Sequence, residues 1–220
     1  MTTICGIDDA GKGPVIGPMV LAGIVIEEKE LPKLKEMGVK DSKLLTPKQR
    51  ELIYHKLIKE IKRYKIIKIP PEEIDDAVLS DTTNLNWLEA DKMAEIINAL
   101  RPDAVIVDCP SNNKKAFANY LENKIKVKTS LRCEHKADRD HLVVGAAAIL
   151  AKVTRDREIG LIEKRIGINF NSGYPADPLT KKFLKENWNK YPEIFRHSWS
   201  TYQEYSEGKK SKKQKTLGEF

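Results

Sequence analysis

The stretch Ile4-Cys-Gly-Ile-Asp-Asp-Ala-Gly-Lys-Gly-Pro-Val-Ile-Gly-Pro-Met-Val-Leu-Ala-Gly-Ile-Val-Ile26 decides how this chain folds. Ile4 to Asp8 is a short apolar run, and Val15 to Ile26 is a longer one rich in Val, Ile and Leu. Between them Asp9-Ala-Gly-Lys-Gly-Pro14 carries glycines at alternate positions. Apolar runs separated by Gly and Pro punctuation predict two strands joined by a tight turn, and therefore an antiparallel pair. The first strand ends in adjacent carboxylates, Asp8 and Asp9. Successive side chains on a strand face opposite ways, so both acids address one place only where the strand ends or twists. The glycines that follow permit such a twist. The pair reads either as a solvated turn or as the beginning of a site.

Outward from this hairpin, local signals recur along the chain. Thr46-Pro47-Lys48-Gln49 has a cap, a proline at the first helical position and a Gln three residues on, which predicts a helix to about Arg63 with Leu52, Ile53, Leu57 and Ile61 on its apolar face. Tyr64 to Ile69 reads as a strand that Pro70-Pro71 stops. Leu85 to Leu100 reads as a helix with Trp87, Leu88, Met93, Ile96 and Ile97 as its apolar positions. Ala104 to Val107 is nearly all apolar and ends in Asp108, as expected of a central strand buried on both faces. A helix at Lys114 to Glu122 and a strand at Ile125 to Cys133 follow. Val143 to Ile166 is the strongest helical segment, and its first half is apolar nearly all round, which requires deep burial. Beyond Gly173-Tyr174-Pro175 come helical patterns at Pro178 to Asn189 and Trp199 to Tyr205, then a Lys-, Ser- and Gln-rich tether. The expected architecture is α/β, a mixed central sheet flanked by helices. The expected organisation is a catalytic domain over 1–206, with a C-terminal helical extension from about 175, and a basic tail over 207–220.

A net charge of +7 on 220 residues favours an anionic partner, nucleic acid above all, over an indifferent basic surface. Cys5, Cys109 and Cys133 stand apart with no CxxC spacing, a pattern of reduced core thiols rather than of disulfides or a zinc site. No apolar run is long enough for a membrane span and the amino terminus does not read as a signal peptide. A soluble, cytoplasmic monomer is expected.

Two further aspartates join the opening pair. Asp108 stands at the carboxyl end of the buried strand, where open α/β sheets place their ligands; it could equally cap the helix after Pro110. Asp138, in Glu134-His-Lys-Ala-Asp138, precedes the apolar helix and could complement its dipole. Taken together, carboxylates at strand ends and a helix start point to a hard cation, Mg2+ or Mn2+, which takes oxygen ligands and relieves their mutual repulsion. Two such ions activate a water and stabilise the leaving 3′-oxygen of a phosphodiester.

Gly6-Ile-Asp-Asp-Ala-Gly-Lys-Gly-Pro14, Val39-Lys-Asp-Ser-Lys43, Glu134-His-Lys-Ala-Asp138, Ala146-Ala-Ala-Ile-Leu-Ala-Lys152 and Ser172-Gly-Tyr-Pro-Ala-Asp-Pro178 follow in that order. In content and spacing the chain resembles archaeal-type ribonuclease HII over about residues 1 to 206. The resemblance implies a ribonuclease H-like fold with a C-terminal helical extension, and a catalytic, metal-binding tetrad of Asp8, Asp9, Asp108 and Asp138. It implies that the backbone of Gly11-Lys12-Gly13 contacts the ribonucleotide 2′-hydroxyl, the one group that distinguishes an embedded ribonucleotide from its neighbours. Tyr174 would pack on the deoxyribose to the 3′ side. Lys43 and Lys136 read as phosphate ligands or as solvated lysines. The implied substrates are RNA–DNA hybrids and duplex DNA with an embedded ribonucleotide, cut on the ribonucleotide's 5′ side to leave a 3′-hydroxyl and a 5′-phosphate.

One position departs from the family's pattern, whose second carboxylate is usually Glu where this chain has Asp9. Losing a methylene withdraws the carboxylate by roughly 1.5 Å, so magnesium, with its strict geometry, should support cleavage less well here than in an Asp9→Glu variant. A related enzyme, ribonuclease HIII, is disfavoured because that family carries an additional amino-terminal domain. A second alternative is a weakly catalytic, clamp-tethered module that binds hybrids. The clamp reading comes from Gln214-Lys-Thr-Leu-Gly-Glu-Phe220, where Gln214, Leu217 and Phe220 have the spacing of a peptide that binds the sliding clamp (PCNA) in one tight turn.

Overall fold

The computed structural model describes residues 2–40 and 42–206. Eight residues of β1 (Thr3–Ala10) pair antiparallel with β2 (Met19–Glu27), from Thr3↔Glu27 to Ala10↔Val20. The antiparallel pairing is as expected, but the link is no tight turn. The second strand begins at Met19 rather than Val15, because Val15 and Ile16 are buried in a different apolar cluster and Ile16 makes an isolated antiparallel bridge to Phe195.

After α1 (Leu31–Glu36), α2 (Pro47–Glu60) opens with the full capping box: Thr46 accepts from Gln49 N and Gln49 accepts from Thr46 N. Ile53, Leu57 and Ile61 (just beyond the last turn) are buried in the core, whereas Leu52 is 58% exposed, so the apolar stripe is narrower than the sequence suggests. β3 (Arg63–Ile69) follows, and Pro71 then begins α3 (Pro71–Leu79), its missing N–H falling where a helix has no internal partner for one. α4 (Leu85–Leu100), β4 (Ala104–Asp108) and α5 (Lys114–Lys124) occupy their expected positions. β5 (Ser130–Glu134) is shorter than expected, since Lys126 N is bonded to Asn98 Oδ1 (2.7 Å) instead of a strand. The chain ends in α6 (Ala137–Asp140), α7 (Leu142–Ile166), α8 (Pro178–Asn187) and α9 (Ser200–Ser206).

The five strands form one sheet in the order β3-β2-β1-β4-β5, with β1, β4 and β5 parallel to one another and β2 antiparallel to β1. The chain divides into two compact units. The first comprises Met1–Ala10, Val20–Lys68 and Asn86–Thr154; the second comprises Gly11–Met19, Ile69–Leu85 and the chain from Arg155 onward.

In the first unit the sheet buries Val20, Ala22, Ile24 and Ile106 against the opening turns of α7, where Val144, Ala147 and Leu150 are wholly inaccessible. β1 can lie this close to α7 only because Gly6 has no side chain: a Cβ there would sit 2.3 Å from the Val143 carbonyl carbon. In the second unit Val15, Ile16, Phe170, Phe183, Phe195 and Tyr202 form an aromatic-rich core, with Phe170 and Phe183 rings 5.0 Å apart. Its C-terminal segment is tied down by Asp75 of α3, whose carboxylate accepts from His197 N (2.7 Å), Ser198 N (2.9 Å) and Ser198 Oγ (2.5 Å). Cys5, Cys109 and Cys133 are free thiols, with Cys109 one residue beyond β4 rather than within a strand. No described helix is long and apolar enough to cross a membrane.

Candidate active site

The parallel register of β1 and β4 sets the site's height. Ile7 is level with Val107, so Asp8, still within β1, stands beside Asp108, the last residue of β4; β1 continues to Ala10 rather than ending at the two acids. On the far side Asp108 is level with Glu134, and the chain turns back through Lys136, a non-glycine residue at φ 60, into α6. That turn brings Ala137 N within 3.0 Å of Asp108 Oδ1, and Asp138 is the next residue. Asp108 therefore binds the start of α6; the helix after Pro110 is capped by Asn113 instead.

Asp8 and Asp138 are both buried, at 6% and 5% exposure, while Asp9 and Asp108 are half-buried. Burial, then the charges of Asp9, Asp108 and Asp138, push the Asp8 carboxyl well above the ordinary carboxylate range. A hydrogen bond from Asp9 N (2.8 Å) opposes this. Asp8 thus feels all three of the other predicted acids. Among the described residues no group of three or more His, Cys, Asp or Glu is already drawn into metal-ligand spacing, so the acids stand as neighbours rather than as a closed cage. Beside them His141 Nε2 lies 2.7 Å from Glu134 Oε2, a hydrogen bond that holds the Glu134 carboxyl below its usual range.

The second unit holds the glycine turn and Tyr174. Gly11 (φ 84) is buried, and a Cβ on Gly13 would touch the Tyr174 ring at 3.6 Å. Arg155, 4% exposed, donates to Ser172 O and lies 5.3 Å from the centre of the Tyr174 ring. Arg196, wholly buried, and Trp199 bind the turn's carbonyls. The two arginines are not singled out by sequence, where an arginine reads as surface by default. The available signal was their setting: Arg155 ends an apolar helical run, and Arg196 lies between Ile194-Phe195 and Trp199. Lys136 is exposed, Lys12 is half-buried, and the side chain of Lys43 lies outside the described residues, as do Gln214, Leu217 and Phe220.

Comparison with known proteins gives the family. The family model described as Ribonuclease HII matches residues 5–202. The chain belongs to the ribonuclease HII family. It is 43% identical over 223 residues to ribonuclease HII of Pyrococcus furiosus, covering 99% of this chain and 97% of that protein. Its fold superposes on the crystal structure of ribonuclease H2 from Pyrococcus horikoshii with a TM-score of 0.85 at 42% identity, covering 94% of this chain and 98% of the other. The ribonuclease HII in the PCNA complex from Archaeoglobus fulgidus superposes with a TM-score of 0.80 at 36% identity, over 99% and 100% of the two chains. The chain is accordingly a ribonuclease H, a metal-dependent nuclease that hydrolyses the RNA strand of RNA–DNA hybrids. The resemblance read from its ordered motifs and the mixed-sheet fold are both borne out.

Proposed function

We propose that, beyond cleaving hybrids, this enzyme incises duplex DNA on the 5′ side of a single embedded ribonucleotide and leaves a 3′-hydroxyl and a 5′-phosphate. Asp8 is the observation that carries the chemical part of this reading: a buried carboxylate facing the charges of three others. Such a set is costly without a counter-charge, and its all-oxygen donors suit a hard divalent cation. Asp8, Asp9, Asp108 and Asp138 would hold Mg2+ or Mn2+, two ions during catalysis. When bound, the metal supplies an activated water and neutralises charge at the departing 3′-oxygen.

The chain's own groups do the rest. The Ala137 N–H fixes the Asp108 carboxylate, and the left-handed Lys136 turn sets Asp138 one residue further on. The exposed Lys136 ammonium is available to a backbone phosphate, and Lys43 would serve likewise. Main-chain donors of Gly11-Lys12-Gly13 bind the 2′-hydroxyl, while Tyr174, held against Gly13 and under Arg155, packs on the adjoining deoxyribose. The residues Gln214, Leu217 and Phe220 would dock on a sliding clamp. The clamp complex of the Archaeoglobus relative supports that reading, and the pairing suits removal of ribonucleotides behind a replication fork.

The test uses a labelled DNA duplex with one ribonucleotide and a uniform hybrid, each incubated with Mg2+, Mn2+ or EDTA. Incision 5′ to the ribonucleotide, abolished by EDTA and by Asp138→Asn, is expected; deleting residues 214–220 should spare it while removing clamp binding. Cleavage of the hybrid alone would leave the nuclease intact and refute the junction reading.

A further inference from the structure

Arg196 is a cation with no exposed surface, and it is spent on backbone. Its Nη2 donates to Gly11 O (2.6 Å), its Nη1 to Lys12 O (2.7 Å), and its Nε and Nη2 to Gly17 O (3.1 and 3.0 Å). The guanidinium also lies 4.9 Å from the centre of the Trp199 ring, and Trp199 Nε1 donates to Gly13 O (3.1 Å). Three consecutive carbonyls of the turn, Gly11, Lys12 and Gly13, are thus taken by one arginine–tryptophan pair.

The geometry of the peptide unit turns this into a statement about donors. In a planar trans peptide the C=O of one residue and the N–H of the next point in opposite directions, and the described chain has no cis bonds. Fixing Gly11 O and Lys12 O on Arg196 therefore aims the Lys12 and Gly13 N–H groups away from it. The third peptide ends in Pro14, which has no N–H. Of the three peptides whose carbonyls are held, two therefore supply an N–H, those of Lys12 and Gly13. A fixed positive charge behind the carbonyls also polarises both peptides, strengthening their N–H groups as donors.

We propose that Arg196 and Trp199 are positioning residues for ribonucleotide specificity: they hold the peptides of Gly11-Lys12-Gly13 so that two N–H donors converge on a hydroxyl oxygen of the substrate. The inference rests on the reading of this turn as the 2′-hydroxyl site. Neither side chain touches the substrate. Lysine cannot replace Arg196, because a single ammonium lacks the fork that reaches three carbonyls at once.

The readout is discrimination, not activity alone. Fluorescence anisotropy in EDTA gives the affinity of the full-length protein for a DNA duplex with one ribonucleotide and for the same duplex without it. The preference is the ratio of the two. Arg196→Lys should lower that ratio roughly tenfold and Trp199→Phe roughly threefold, as expected for losing neutral hydrogen bonds to one hydroxyl. Affinity for the all-DNA duplex should stay unchanged in both. A purely structural role would lower thermal stability and weaken both duplexes alike. Retention of the wild-type ratio by the folded variants overturns the inference; Trp199→Phe decides alone if Arg196→Lys does not fold. Absence of any preference in the wild type, in binding and in cleavage, would instead refute the underlying reading of the turn.

Discussion

Replacing Gly6 by alanine tests whether the close approach of β1 to α7 is what holds the acidic cluster together. The new Cβ would lie 2.3 Å from both C and O of Val143 and 2.5 Å from Val144 N. Carbon contacts settle at about 3.5–4.0 Å, so β1 and α7 must separate by about 1 Å. No rotamer relieves this, because the obstructing atoms are main chain. Nor does the helix start yield readily: Val144 N and Gly145 N donate to His141 O (3.0 and 2.9 Å) at its first turn. Overpacking of this kind costs about 1–3 kcal/mol, and a backbone obstruction belongs at the upper end. For a chain of this length about 3 kcal/mol lowers Tm by roughly 6–12 °C. Asp8 leaves the strand that must move, and a displacement of about 1 Å in a catalytic array costs on the order of a hundredfold in rate. Gly160→Ala is the matched control. It makes the same chemical change on an exposed part of α7 with nothing within 4 Å, and should stabilise by about 0.5–1 kcal/mol. Thermal unfolding followed by circular dichroism, with single-turnover cleavage alongside, measures both effects. A Gly6→Ala protein melting within about 2 °C of the wild type, or shifting in the same direction as Gly160→Ala, would refute the reasoning.

Two further outcomes follow from the acids themselves. Asp9→Glu should raise the magnesium-supported rate by roughly ten- to a hundredfold and the manganese-supported rate by less, since it restores about 1.5 Å of reach; equal magnesium rates for the two proteins would end this account. In metal-free protein, Asp8→Asn should raise Tm at neutral pH while abolishing cleavage. The folded-state pKa of Asp8 is raised, so its stabilising contribution is complete below the ordinary carboxylate range and is lost as pH rises through the folded value. Asparagine carries no such charge. The difference in Tm should therefore shrink toward zero as the pH approaches about 4, and a difference independent of pH would show that burial and repulsion at Asp8 are not its cause.

Much of the fold was legible where local signals and burial agree. The capping box started α2 where Thr46 and Gln49 said it would, and the all-round apolar start of α7 is indeed the most deeply buried helix segment of the first unit. Elsewhere the same residue type carries two meanings that only tertiary structure separates. Pro71 looks like a strand terminator and is a helix initiator. Asp9 to Pro14 reads as a hairpin turn leading straight into a strand at Val15, yet Val15 and Ile16 pack in the second unit, so contact with distant residues such as Phe195 overrides the local strand signal. That the acids lie near one another was legible because the parallel register of β1 and β4 sets Asp8 beside Asp108. The alternative role for Asp108, as cap of the following helix, is set aside by a hydrogen bond from Ala137, 29 residues away, which no local pattern carries.

The residues that sequence reading missed share one property with those it found. Asp8, Asp138, Arg155 and Arg196 are all charged residues at 6% exposure or less. Removing charge from water costs several kcal/mol per group unless the surroundings return it, so each such residue needs a compensating arrangement. For Arg196 the compensation is visible as carbonyls of the glycine turn, and for Arg155 as the Ser172 carbonyl and the Tyr174 ring. For Asp8 the neighbours make matters worse, because three of them are acids. A stabilising role explains the arginines in part, since they order the segments they bind. It does not explain Asp8, whose burial among like charges weakens the fold at neutral pH. Local departures from good folding practice collect where function requires them, and on that argument the proposed roles follow: chemistry at the acids, and positioning by the arginines of the segments they bind.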